Sequence, residues 1–305
     1  MNYYNKYQKY KSKYLEQCVL KNKQYGGFNI PLMGFGTWQN IPDNNEIERI
    51  IYEAIKIGYK CFDCAYNYQN EEGIGRAFKR AFDEGIVKRT DLFIIGKAIT
   101  IEQFKTSLVK LQIEYFDLAL FHFYSNISNW KLMIRVKLEH LTKEIGLSNI
   151  YINKLKLLIR YCDANNIEKP KAIENEINLF TPEEILVNYC NTNNIKLIGY
   201  TPLGQKEGLR FYTMGRVKLL TDISIELGCT IPQLILLWGI KRNITVIPTS
   251  SNISRMTENF FTTSISETSS LSEEQIFNIS KIIGLNSPLT ITAQTHKDED
   301  ADIDI

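Results

Sequence analysis

Asp63, Tyr68, Lys97 and His122 are side chains whose types complement one another as an acid set. Asp63 lies in the run YKCFDCA, Lys97 closes LFIIGK, His122 closes DLALFH, and Tyr68 follows Asp63 by five residues. A tyrosine hydroxyl has an ordinary pKa of about 10 and donates a proton poorly near neutrality. A lysine ammonium beside it favours the tyrosinate and is expected to lower that value. An aspartate paired with the lysine keeps the lysine charged. A histidine can hydrogen-bond a carbonyl oxygen and orient it. The chemistry such a set would perform is proton donation to a carbonyl oxygen. Taken singly, Asp63 with Lys97 reads as a structural ion pair and His122 as a core histidine, because structural pairs also perturb pKa values. Their joint placement at successive strand ends is what favours catalysis.

The elements that must position these residues alternate along residues 28–285. Short β-branched runs are followed by amphipathic stretches in eight units, from MGFGTW with NNEIERIIYEAIKIG to ITVIPTS with SRMTENFFT. In the first helical stretch Ile47, Ile50, Ile51, Ala54 and Ile55 recur at three- and four-residue steps and make one apolar face. The run SNWKLMIRVKLEHLTKE reads as one helix, and Thr181-Pro182-Glu183-Glu184 reads as a helix start. The strands are near-continuous apolar runs, as a parallel sheet buried on both faces requires. Eight strand-then-helix repeats predict an α/β fold, a (β/α)8 TIM barrel, whose reactive end is the C-terminal rim of the strands. An open sheet would predict a phosphate loop, and neither GxGxxG nor GxxxxGK[ST] is present.

Bulk properties narrow the classes further. The chain has 305 residues, 36 basic and 34 acidic side chains, and a net charge of +2, which gives no electrostatic reason to expect nucleic acid. No apolar stretch approaches the roughly 20 residues of a spanning helix, so no membrane is expected. Six cysteines without an apolar signal core are expected to be reduced thiols of a cytoplasmic protein. Cys61 and Cys64 form a CxxC without a second ligand pair, so no metal is expected. Residues 1–27 form a Tyr/Lys-rich leader expected to lie outside the barrel, and residues 286–305 a polar, acidic tail expected to be disordered. A monomer acting on a small-molecule carbonyl substrate is the expected form.

The segment DCAYNYQNEEGIG, from Asp63 to Gly75, resembles the signature of the aldo-keto reductase family around its catalytic aspartate and tyrosine. LFIIGK, DLALFHF, IGLSN, YTPLG and IPTSSNISRMTEN then follow in the family's order, and the similarity runs from Ile30 to Gly284. The resemblance implies NAD(P)H-dependent reduction of an aldehyde or ketone, with NADP(H) as cofactor and NAD(H) left open. It implies Tyr68 as general acid, Lys97 and Asp63 tuning it, and His122 positioning the carbonyl. Ser148 and Asn149 would hold the nicotinamide carboxamide, Tyr200 would stack on the nicotinamide ring, and Thr201, Pro202, Leu203 and Gly204 would follow the pyrophosphate. Ser250, Arg255 and Asn259 would bind the adenosine end. Gly36, Thr37 and Trp38 would line the cofactor and substrate mouth, and Phe123 would add an aromatic wall. The alternative within the superfamily is a cofactor-binding regulatory or structural protein with little turnover.

Three departures from the family pattern bear on function. Thr249 stands where the family often carries a lysine that contacts the cofactor 2′-phosphate, so a reduced preference for NADPH is expected. A strand-six glutamine that touches the nicotinamide is replaced by Glu174, or by Asn175 under a one-residue shift. The segment between His122 and Ser148 is shorter than in the family, which predicts a more open mouth.

Overall fold

A computed structural model describes residues 28–38, 43–205, 208, 211, 217–268 and 271–282. The leader 1–27 and the tail 286–305 lie outside the described residues. Eight parallel strands run in the order β1 to β8: β1 (Phe35–Gly36), β2 (Cys61–Ala65), β3 (Phe93–Ala98), β4 (Phe116–Phe121), β5 (Thr142–Ser148), β6 (Ala172–Glu176), β7 (Lys196–Tyr200) and β8 (Ile244–Ile247). The sheet closes on itself because Met33, just before β1, bridges Val246 of β8 in parallel. The amides of Gly34 and Val246 donate across this seam to the carbonyls of Val246 and Leu32, each at 2.9 Å, and Gly36 N donates to Pro248 O at 3.2 Å. This is the (β/α)8 barrel that the alternation predicts.

Helices cover the outside: α1 (Asn44–Ile57), α2 (Glu71–Asp83), α3 (Ile101–Leu111), α4 (Ile127–Leu138), α5 (Ile152–Asn165), α6 (Glu184–Thr192), α7 (Lys218–Leu227), α8 (Ile231–Lys241), α9 (Ile253–Thr268) and α10 (Glu273–Ser280). In α1 the predicted face of Ile47, Ile50, Ile51, Ala54 and Ile55 is buried, and the Asp43 carboxylate caps the start by accepting from Asn45 N at 2.8 Å. No single helix among the described residues is long and apolar enough to cross a membrane.

Two boundaries differ from the sequence reading. The run ending HLTKE is not one helix. His140 takes a left-handed φ of 57° that ends the turn after α4, and Thr142–Glu144 already belong to β5. Leu141 O accepts from Phe116 N at 2.9 Å, so pairing with β4 overrides the helical pattern. Likewise α6 starts at Glu184 rather than at Thr181. The Asn178 side-chain oxygen accepts from the amides of Phe180 and Thr181, at 2.8 and 3.2 Å, in a turn that leaves Glu183 at a φ of 51°.

Among the described residues there are two cores. The outer one lies between sheet and helices and includes Phe62, Phe78, Phe104, Trp130 and Trp238. The inner one fills the barrel with Ile30, Cys61, Ile95, Leu118, Leu120, Ala172, Ile198 and Ile247, with Phe28 and Phe93 partly buried against it. Cys61 belongs to the inner core and Cys64 to the outer, since an odd spacing on a strand puts two side chains on opposite faces. The CxxC therefore holds two free, buried thiols in separate environments, and burial pushes both well above the usual thiol range.

Candidate active site

The inner core sets the position of everything polar inside the barrel. Side chains on a strand face the same side every second residue. Two residues beyond Cys61, Ile95, Leu120, Ala172, Ile198 and Ile247 stand Asp63, Lys97, His122, Glu174, Tyr200 and Thr249. An apolar layer thus lies below a polar layer at the C-terminal ends of the strands, the end at which barrels of this class place their reactive groups. Asp63 and Lys97 lie within β2 and β3, and His122 follows β4 directly, with its amide donating to Ala98 O at 3.1 Å. Tyr68 closes a short 3-10 turn, Tyr66–Tyr68, that leads out of β2.

Lys97 is 1% exposed, and its ammonium donates to Asp63 Oδ1 and, at 2.8 Å, to Glu174 Oε1. The second of these contacts has no counterpart in the sequence reading. Burial works against the Lys97 charge, but Asp63, Glu174 and Tyr68 together outweigh it and hold the lysine well above its ordinary range. One cation between two carboxylates leaves the cluster short of positive charge. Burial, reinforced by the Asp63 charge, therefore pushes Glu174 up to about 8 despite the pull of Lys97.

Tyr68 lies beside this cluster, with Lys97 Nζ 5.2 Å from its ring centroid. Burial raises the Tyr68 hydroxyl well above the usual tyrosine value, and the pull of Lys97 does not reverse it because Asp63 and Glu174 push the other way. The net lowering expected from the lysine alone is thus corrected: Lys97 acts in the expected sense, but desolvation and two carboxylates exceed it. His122 meets Tyr68 edge to face, with ring centroids 5.9 Å apart, and stacks on Phe123 at 4.1 Å. Burial, helped by the Lys97 charge, lowers His122 to about 4, so its ring is neutral near pH 7. Its Nδ1 is buried without a hydrogen-bond partner among the described residues. Trp38 and Phe123, 54% and 55% exposed, present open aromatic surface.

The remaining candidates separate into groups. Glu174 faces the barrel interior, whereas Asn175 faces outward and is exchanged with Ile150 through two hydrogen bonds, of 3.1 and 2.8 Å. That settles which of the two side chains points inward. Ser148 Oγ donates to Glu174 O at 3.1 Å, Asn149 Nδ2 donates to His122 O at 2.9 Å, and Tyr200 Oη donates to Asn149 Oδ1 at 2.8 Å. These three side chains tie the ends of β4, β5, β6 and β7 together. Thr201 and Gly204 take left-handed φ values of 51° and 70°, and Gly204 N donates to Thr201 O at 2.9 Å in a tight turn that holds Pro202 and Leu203. Thr37 is fully buried and its hydroxyl donates to Asp63 O at 2.8 Å. A Cβ on Gly36 would lie 2.6 Å from Thr249 Oγ1 and 2.7 Å from Ile247 O, so only glycine lets β1 approach β8 there. Past β8, Thr249 is exposed and its hydroxyl donates to Gly36 O at 2.8 Å. Ser250 accepts from Asn252 N at 3.2 Å, Arg255 is exposed in the first turn of α9, and Asn259 is buried one turn further on.

A sequence profile of the Aldo/keto reductase family matches residues 32–283. The chain belongs to the aldo/keto reductase family. The reductase is 32% identical over 270 residues to an NADP-dependent D-sorbitol-6-phosphate dehydrogenase of Malus domestica, covering 76% of this chain and 85% of that protein. It is 32% identical over 249 residues to the methylglyoxal reductase DkgA of Escherichia coli O157:H7, covering 78% of this chain and 86% of that one. Among solved structures, a Bombyx mori aldo-keto reductase in complex with NADP superposes with a TM-score of 0.72 at 26% identity, over 85% of this chain and 91% of that one.

Proposed function

We propose that the reductase converts an aldehyde or ketone to an alcohol with NADP(H), with Tyr68 as the proton donor and His122 orienting the carbonyl oxygen. The observation that carries this reading is the convergence of Tyr68, Lys97, Asp63 and His122 at the C-terminal end of one barrel, from three strands and the turn after β2. A reduced nicotinamide, when bound, supplies the hydride for the carbonyl carbon. The protein's own part is the proton. Tyr68 gives its hydroxyl proton to the carbonyl oxygen, and the phenolate left behind faces the Lys97 ammonium, which Asp63 holds in place. A neutral imidazole has one N–H to donate, and His122 stays neutral because burial and Lys97 hold its pKa low. Hydrogen-bonding a carbonyl with an uncharged donor leaves the proton transfer to Tyr68.

The residues present fit a dinucleotide. The second carboxyl oxygen of Glu174 is buried without a partner among the described residues, placed to hydrogen-bond the amide of a nicotinamide carboxamide, as donor when protonated and as acceptor when ionised, next to Ser148 and Asn149. Tyr200 would meet the ring, and the turn from Thr201 to Gly204 would follow the pyrophosphate. Ser250, Arg255 and Asn259 would take the adenosine end. Gly36 and Thr37 shape the wall through Thr249 and Asp63. Trp38 and Phe123 would border a small-molecule carbonyl substrate at an open mouth. We read the working form as a cytoplasmic monomer.

The test is consumption of NADPH and of NADH, followed by nicotinamide absorbance, against a panel of aldehydes and ketones that includes methylglyoxal. The reverse reaction is assayed with D-sorbitol-6-phosphate. Tyr68→Phe should lose turnover and keep cofactor binding as read by fluorescence quenching. Near-wild-type turnover in that variant would refute Tyr68 as the donor.

A further inference from the structure

Lys97 is the cation that serves Tyr68, and it is not committed to Asp63 alone. Its ammonium has three N–H donors, and two of them meet carboxylates on strands β2 and β6. Glu174 Oε1 takes one at 2.8 Å, and Glu174 Oε2 has no partner among the described residues. All three charged side chains are at most 2% exposed, so no solvent screens one from another. We propose that Glu174 is a positioning residue that shares the Lys97 ammonium with Asp63, so that protonation of Glu174 governs how strongly Lys97 supports the phenolate form of Tyr68.

The direction follows from charge. With Glu174 ionised, one ammonium serves two carboxylates, and the negative charge of Glu174 opposes a phenolate on Tyr68. With Glu174 protonated, Asp63 and Lys97 form a neutral pair and that opposition is gone. Tyr68 is then the stronger acid. The titratable groups facing Glu174 are Lys97 from β3, Asp63 and Cys61 from β2, Tyr68 from the turn after it, and Tyr200 from β7. Burial pushes Cys61 and Tyr200 up, Tyr200 to about 12, so both stay neutral through the range in question. Glu174, at about 8, is the member that changes charge there.

This inference rests on Tyr68 as proton donor, and the experiment separates the two. The first measurement is infrared spectroscopy of the cofactor-free protein, as wild type and as Glu174→Gln. The wild type should show a protonated-carboxyl C=O band that disappears as pH rises through about 8 and is missing from the variant. The second is the pH profile of kcat at saturating NADPH with methylglyoxal, or with the fastest aldehyde of the panel, over roughly pH 6–10. Wild-type kcat should fall about three- to tenfold across the same inflection, a fraction of the 10²–10⁴ that a positioned acid contributes. In Glu174→Gln that inflection should be absent, whatever the absolute rate of the variant. An inflection that persists in Glu174→Gln overturns the proposal, as does a flat wild-type profile, which needs no variant to fold. A change confined to the cofactor KM, equal at every pH, would make Glu174 a binding group only and overturns it too. Turnover that survives in Tyr68→Phe refutes the proton-donor reading itself, whatever the infrared band does, and removes this inference with it.

Discussion

Replacing Lys97 with methionine removes the cation and keeps most of the side-chain volume. What remains is two buried carboxylates, Asp63 and Glu174, that had shared it. Breaking a buried ion pair by deleting one partner costs about 3–5 kcal/mol, because the surviving charge stays desolvated and unpaired. Each kcal/mol lowers Tm by about 2–4 °C in a domain of this size class, so the expected loss is roughly 6–20 °C. The pH dependence adds a second constraint. Glu174, which burial already raises in the wild type, loses the opposing pull of Lys97 in the variant, so its folded-state pKa lies still further above its unfolded one. The folded protein therefore binds more protons than the unfolded chain, and stability falls as pH rises through that window. Thermal unfolding followed by circular dichroism should show a deficit that is small near pH 5 and large near pH 8. Adding Glu174→Gln to Lys97→Met should recover part of it. A Tm within about 2 °C of wild type at pH 8, or a deficit that does not shrink on acidification, would refute the buried-cluster argument.

Three further outcomes are expected. His122→Ala should lower turnover by about a hundred- to ten-thousand-fold through loss of carbonyl positioning. A lower Tm with intact rates would instead make His122 a packing residue. A chain shortened to begin at Phe28 should stay soluble and active, because Phe28 and Ile30 still close the inner core beside Phe93, whereas Ile30→Asp should destabilise it. Arg255→Ala should nearly erase discrimination between NADPH and NADH, and Thr249→Lys should widen it. Charge-assisted bonds to a 2′-phosphate contribute about 1.5–3 kcal/mol each, and dissociation constants for both cofactors check this. An unchanged ratio in Arg255→Ala would displace the adenosine site from α9.

The sequence shows most of the barrel because its signals are local. Apolar runs, helical periodicity and the order of units need no knowledge of which strand meets which. Asp63, Lys97 and His122 are legible for the same reason, each lying at or near the end of its own run. The Lys97–Glu174 contact was not legible. It joins β3 to β6 across the barrel, and it appears only once both strands are known to turn those residues inward. The one signal available is that Glu174 is an acidic residue on a strand whose preceding inward position is Ala172. The sign of the shift on Tyr68 is hidden from the sequence for a related reason. Lys97 alone predicts lowering, and only burial with a second carboxylate reverses it. The start of α6 is hidden because the turn made by Asn178 is irregular, and a helix-start motif is no match for an asparagine already bonded to two amides.

The distribution of polarity along the barrel axis explains why the charges are tolerated where they stand. Below them, Cys61, Ile95, Leu118, Leu120, Ala172, Ile198 and Ile247 form a dry layer, with Phe28 and Ile30 beneath. Above them, Trp38 and Phe123 are half exposed. A barrel built for stability alone would extend the apolar layer upward, since apolar side chains of similar volume commonly equal or exceed a buried ion cluster in stability. The three charged groups instead occupy the next inward positions on β2, β3 and β6, and among the described residues one oxygen of Glu174 and Nδ1 of the neighbouring His122 have no hydrogen-bond partner. Buried polar atoms without partners are costly in a finished core. At the open end of the barrel these atoms are available to a bound molecule, and the His122 ring there meets that of Tyr68 edge to face.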